Sequence, residues 1–91
     1  MNNIEWSATF KRDFLREFKT DKRIISLMIP VVADLLRGVT LDAKYRDHAL
    51  IGNWKSCRDC HIKPDLVLIY SFPNVDTLRL ERLGSHSELG L

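Results

Sequence analysis

The chain is 91 residues long and 45% hydrophobic, with 14 Lys and Arg against 12 Asp and Glu for a formal charge of +2. That suffices for one small domain over residues 1–91 and excludes a second, while the slight basic excess permits a nucleic-acid partner without calling for one. No run of about 18 apolar residues occurs and the first residues carry no apolar h-region, which argues against a membrane span and a signal peptide; the chain is expected in the cytoplasm with its two cysteines reduced.

Residues 2–6 read as a short strand. Ser7 follows as a cap for a helix over ATFKRDFLREFK, in which Phe10, Phe14 and Phe18 recur every four positions and Leu15 joins them in one apolar stripe. That spacing predicts core packing rather than cofactor stacking for the three rings. Thr20 or Asp21 is placed to cap a second helix. RIISLMIPVVADLLRG carries Ile24, Leu27, Met28, Val31, Val32, Leu35 and Leu36 at helical period, with Gly38 as the stop. Pro30 lacks an amide donor and clashes with the preceding turn, which predicts a kink or two shorter helices. Residues 39–52 read mostly as loop and hold His48. From Trp54 the pattern turns to strands. WKSCRDCH alternates, IKPD turns, LVLIYSF is an apolar run suited to a buried central strand, PNVD turns again, and TLRLERL alternates. The tail GSHSELGL is short and polar-mixed. The order β-α-α-β-β-β predicts an α+β domain: a small, twisted, mostly antiparallel sheet with an N-terminal helical hairpin on one face.

The stretch SCRDCHIKPD poses the first chemical question. Cys57, Cys60 and His61 match the C-x-x-C-H pattern of covalent haem attachment and resemble part of a zinc site. Residues three apart on a strand face opposite sides, with α-carbons roughly 10 Å apart, so the thiols diverge. They suit neither a disulfide nor a zinc ion, and no second ligand pair of the usual spacing exists. Haem attachment further needs an oxidising compartment. No metal and no cofactor is expected. The same alternation puts Lys55, Cys57, Asp59 and His61 on one face, and Trp54, Ser56, Arg58 and Cys60 on the other. Asp59 and His61 become same-side neighbours, with Asp65 just across the next turn. Two carboxylates beside an imidazole hold its tautomer and raise its pKa, which suits acid–base work near neutral pH. A surface histidine near an aspartate is also common where no chemistry occurs. Trp54 either stacks on a base or packs beneath the sheet.

YRDHALIGNWKSCRDCHIKPDLVLIY and the later LRLERLGSHSEL share the composite pattern DHxLxGxWxxxRDxHxxPDxxLIY…RxGSH, and with it resemble the YafQ branch of the RelE/ParE toxin superfamily. The resemblance is strongest over residues 45–89, and the helical hairpin before them agrees in order and length. It implies a RelE-like domain acting as the toxin of a type II toxin–antitoxin pair. Such a toxin is a ribosome-dependent endoribonuclease, an mRNA interferase that cuts messenger RNA in the ribosomal A site. The implied partners are the ribosome, mRNA and a DinJ-like antitoxin, through which alone the toxin would meet operator DNA. His48 in DHAL, Asp59 and His61 in RDCH, Asp65 in KPD and His86 in GSH match the family's site residues, His86 holding the main proton-transfer position. The family pattern then places an aromatic residue four positions on, where this chain has Gly90 followed by Leu91.

Metal-free RNA cleavage takes a proton from the ribose 2′-OH, stabilises the phosphorane charge and protonates the leaving 5′-oxygen. The products are a 2′,3′-cyclic phosphate and a 5′-hydroxyl. The expected assignment is His86 as general acid, His48, His61 or Asp65 as base, and Asp59 orienting an imidazole. Lys55, Arg58 and Arg82 are candidates for phosphate contact, or else solvated charges and partners of Glu81 and Asp47. Alternation through Leu78, Leu80, Arg82 and Gly84 reaches His86 if the last strand extends that far, and the loop bearing His48 folds over the same sheet end. Two other readings stand beside this one. A module that binds antitoxin or RNA with weakened chemistry is favoured by Gly90, and a ParE-like gyrase inhibitor is disfavoured by the histidines and their carboxylates.

Overall fold

The computed structural model describes residues 3–91. Its elements are β1 (Asn3–Trp6), α1 (Ala8–Thr20), α2 (Ile24–Leu36), β2 (His48–Ala49), β3 (Cys57–Lys63), β4 (Leu66–Asn74), β5 (Thr77–Gly84) and α3 (His86–Leu89), with 3-10 turns at Ala43–Tyr45 and Gly52–Trp54. The strands form one sheet in the order β1-β5-β4-β3-β2, in which β1 runs parallel to β5 and the other pairs are antiparallel. The α+β expectation holds. Position 2 of the expected first strand lies outside the described residues.

Ser7 caps α1 as expected, its Oγ accepting from the Phe10 amide at 2.9 Å. Phe10 is wholly buried, and Phe14 and Phe18 follow it with ring centroids 6.1 and 6.0 Å apart. Leu15 departs from the stripe and is 57% exposed. Asp13 is instead the inward residue, buried at the junction of α1 and β5. The reason lies in the sheet edge. β1 covers β5 only along residues 77–80, and beyond them α1 takes over the open backbone. The Ser7 amide donates to the Leu80 carbonyl (3.0 Å) and its hydroxyl to the Glu81 carbonyl (2.7 Å). The Leu83 amide donates to Asp13 Oδ2 (3.0 Å), and Arg16 reaches the Leu83 carbonyl (3.1 Å). Buried backbone groups demand such partners.

α2 is one helix despite Pro30. Pro30 lies on the exposed face, where a carbonyl without its amide donor is open to water. Neither Thr20 nor Asp21 caps it. Arg23 holds the cap position, while Asp21 closes α1 and accepts the Arg23 amide at 3.0 Å.

The sheet has two apolar faces. Phe10, Ile24, Met28, Val31 and Leu35 from the helices meet Cys60, Leu66, Leu68, Tyr70, Leu78, Leu80 and Leu83 on one. Val67, Ile69 and Leu89 pack with Leu50, Trp54 and Cys57 on the other. β4 is therefore apolar over residues 66–70, where it is buried on both faces. Alternation does not run unbroken through β5. Tyr70 pairs with Leu80 and Ile69 with Arg82, so an extra residue enters there, and Leu83 returns to the helix side. β5 ends at Gly84, and the short polar-mixed tail folds into α3.

Candidate active site

The face opposite the helical hairpin gathers five of the expected residues. β3 supplies Asp59 and His61, two apart and therefore on one side, with Cys57 before them. Cys60 faces the opposite core, and both thiols are free, as the strand argument expects. His48 is not in a loop. It lies in the two-residue strand β2, in register with Asp59. The neighbouring Asp47 anchors that edge: it accepts from the Tyr70 hydroxyl and from Arg58 at 3.1 Å. With Asp47 held inward, alternation turns His48 toward the site.

Asp65 lies in the β3–β4 turn and His86 opens α3. Ser85 caps α3 in a reciprocal box with Glu88, Ser85 Oγ accepting the Glu88 amide and Glu88 accepting the Ser85 amide. Asp65 Oδ1 meets the His86 amide at 3.0 Å and His86 Nδ1 at 2.6 Å. Since a carboxylate accepts, Nδ1 carries the hydrogen and Nε2 points away from the carboxylate. The His61 and His86 rings stand edge to face with centroids 5.0 Å apart.

His48 Nδ1 lies 2.9 Å from the Arg46 carbonyl in hydrogen-bond geometry. It is also 3.0 Å from Asp59 Oδ1, but outside that geometry, so the contact is electrostatic. Asp59 Oδ1 is thus a buried carboxylate oxygen with no hydrogen-bond partner among the described residues. Burial pushes the Asp59 carboxyl above its ordinary value, while His48, His61 and His86 pull the other way. His61 departs from expectation. Its pKa is lowered, first by burial, then by His86, Arg46 and His48, against which Asp59 alone acts upward. Asp65 is held below the usual carboxylate range by the two His86 bonds.

The three expected phosphate contacts fare differently. Arg58 projects to the face opposite Asp59 and is tied to Asp47. Arg82 is bound not to Glu81 but to Asp13, Nε to Oδ2 at 2.7 Å. Lys55 is exposed at the end of the Gly52–Trp54 turn and is not part of β3. That turn also corrects Trp54, which shares the face of Cys57, packs beside Val67 and Ile69, and donates Nε1–H to the Leu89 carbonyl at 3.2 Å. It thereby docks α3 on the sheet. Gly90 ends α3 in the left-handed region (φ 72°), a conformation that an aromatic residue there would strain. Arg46 was passed over in the sequence. Its guanidinium influences His61, and its only sequence signal is a cation two places before His48. Among the described residues no three His, Cys, Asp or Glu side chains are grouped to hold a metal ion.

Comparison with known proteins bears on the fold and the family. The family described as bacterial toxin of type II toxin-antitoxin system, YafQ, matches residues 2–90. The mRNA interferase toxin YafQ of Escherichia coli K12 is 36% identical, over 96% of this chain and 94% of its own. Among solved structures, a metal-bound toxin from Helicobacter pylori is 43% identical with a TM-score of 0.88, covering 98% of this chain and 99% of its own. The Escherichia coli DinJ-YafQ complex offers a chain 32% identical with a TM-score of 0.82, covering 98% of each. Matched along nearly its whole length, the chain belongs to the YafQ family of type II toxin–antitoxin toxins.

Proposed function

We propose that this chain is an mRNA interferase that cleaves messenger RNA in the ribosomal A site by metal-independent acid–base chemistry. The observation that carries the reading is the meeting of His48, His61 and His86 with Asp59 and Asp65 on one open face, from four separate segments of the chain. His61, its pKa lowered first by burial and then by basic neighbours, takes the 2′-OH proton. Asp65 is committed to His86 and serves less well as base. It fixes the His86 ring so that Nε2 delivers a proton to the departing 5′-oxygen. His48 and the buried Asp59 carboxylate keep the pair in place, and a 2′,3′-cyclic phosphate remains. The named activity of the Escherichia coli relative supports the same reaction class.

Residues 1–91 act on this reading as a single domain, in the cytoplasm where ribosomes are, restrained by a DinJ-like antitoxin. The DinJ-YafQ complex of the related protein supports that partner. The YafQ match and the three histidines disfavour gyrase inhibition. Gly90 supplies no side chain for stacking, so weakened chemistry is the rival reading.

The test is single-turnover cleavage on programmed ribosomes. His86→Gln should slow the reaction by about a hundredfold or more, and Asp65→Asn by about tenfold, in line with general acid–base contributions. Unaltered rates in both variants would remove the site. A wild-type protein that binds ribosomes and cuts nothing would establish the inert module.

A further inference from the structure

An open hollow of about 450 Å³ adjoins His61, walled by Lys44, Arg46, Lys63, Tyr45, Ser26 and Pro30 among others, with no carboxylate in its lining. Lys63 is engaged by Asp21 at 2.8 Å, and the Lys44 ammonium lies over the Tyr45 ring. Arg46 differs. It is exposed, and its side chain makes no hydrogen bond or ion pair among the described residues. Its backbone is in the left-handed region (φ 51°) where it closes the 3-10 turn, its amide donating to the Ala43 carbonyl. Of the non-glycine residues described, only Arg46 and Ser56 have positive φ.

Glycine is the residue that such a position suits, because a Cβ is disfavoured there. Arg46 is thus unfavourable in the free protein on two counts: its backbone is strained, and its charge opposes protonation of the neighbouring His61. Neither count is offset by a partner. An anion in the hollow would screen that charge and give the side chain the partner it lacks. Two of the arginines expected on phosphate are unavailable to the site, since Arg58 and Arg82 are bound to Asp47 and Asp13.

We propose that Arg46 holds an RNA backbone phosphate in this hollow, next to the linkage being cut, and so seats the strand against His61. The proposal rests on the nuclease reading above. Arg46 is then a substrate-positioning residue. Its removal should act on KM rather than on kcat, because an adjacent phosphate is held equally before and during reaction.

The experiment pairs Arg46→Gly with Arg46→Lys in ribosome-programmed cleavage, with melting temperatures measured alongside and His86→Gln as control. Arg46→Gly should keep or raise Tm, raise KM by about tenfold through loss of one charge-assisted hydrogen bond, and leave kcat within about twofold. The dependence of log KM on log salt should become shallower by about 0.7, the value for one single-stranded phosphate contact. Arg46→Lys should restore most of the KM and the slope. A messenger with one neutral methylphosphonate beside the cut separates the two sources of phosphate. Losses that do not add to those of Arg46→Gly assign the phosphate to the messenger, as proposed, and additive losses assign it to ribosomal RNA and overturn the proposal. Unchanged KM and slope in Arg46→Gly, with His86→Gln inactive, would overturn this proposal alone. Should His86→Gln also remain active, the acid–base site on which the proposal rests falls with it. A rise in KM that comes with a lower Tm and that Lys does not repair would make Arg46 structural and overturn the proposal as well.

Discussion

His61 is faced by Asp59 from its own strand, His48 from β2, His86 from α3 and Arg46 from the preceding turn. Burial and the three basic neighbours outweigh the single carboxylate, so its pKa falls below the free imidazole value of about 6.5. If His61 is the base, the acid limb of kcat/KM lies below that value. Arg46→Gly removes an opposing charge and should move the limb upward, whereas Asp59→Asn should move it down. A pH–rate profile reads both, and a limb indifferent to both substitutions would place the base elsewhere. The sign for folding follows the same shift. A lowered histidine contributes stability that is complete above the unfolded value and is lost as pH falls through the folded one. The five candidate residues were picked out through the family pattern, in which each sits in a contiguous motif. The direction of the His61 shift was not. The sequence suggested two carboxylates beside it, but Asp65 is taken by His86, and the neighbouring imidazoles come from distant segments.

Among the elements, helical and strand periods announced α1, α2 and the three long strands, since each buries a face. What they could not announce were interruptions. An extra residue in β5 sends Leu83, not Arg82, into the helix-side core, and a 3-10 turn moves Trp54 to the face opposite the one its alternation implied. Asp13 was invisible for a related reason: its burial depends on β1 ending before β5 does. It takes the Leu83 amide and Arg82 Nε at once. Asp13→Ala should therefore cost about 2–3 kcal/mol, less than a fully enclosed ion pair because Arg82 keeps some access to water. Denaturant titration checks this. A change below about 0.5 kcal/mol would mean that α1 holds the sheet edge without it.

On the scale of the whole molecule, one sheet carries the helical core on one side and the proposed chemistry on the other, with β4 common to both. Order and packing were readable from the sequence, and so was the convergence of histidines, once the family pattern was seen. The cost of that convergence was not readable. Asp59 keeps a buried oxygen without a hydrogen-bond donor among the described residues, and its folded pKa is raised by burial. Such a carboxyl contributes stability that is full below its unfolded pKa and is lost as pH rises through the folded one. Asp59→Asn should thus melt higher than the parent near neutral pH, with the gap closing toward pH 4, the ordinary aspartate range. Scanning calorimetry at the two pH values tests it, and a lower Tm for the variant near neutrality would contradict it. The orphaned oxygen then shapes which inactive clones survive in a host that makes the toxin unrestrained. Escape at position 59 would come with abundant, well-behaved protein, whereas escape at position 13 would come through misfolding, so harmless survivors sorted by soluble yield should be rich in the first kind.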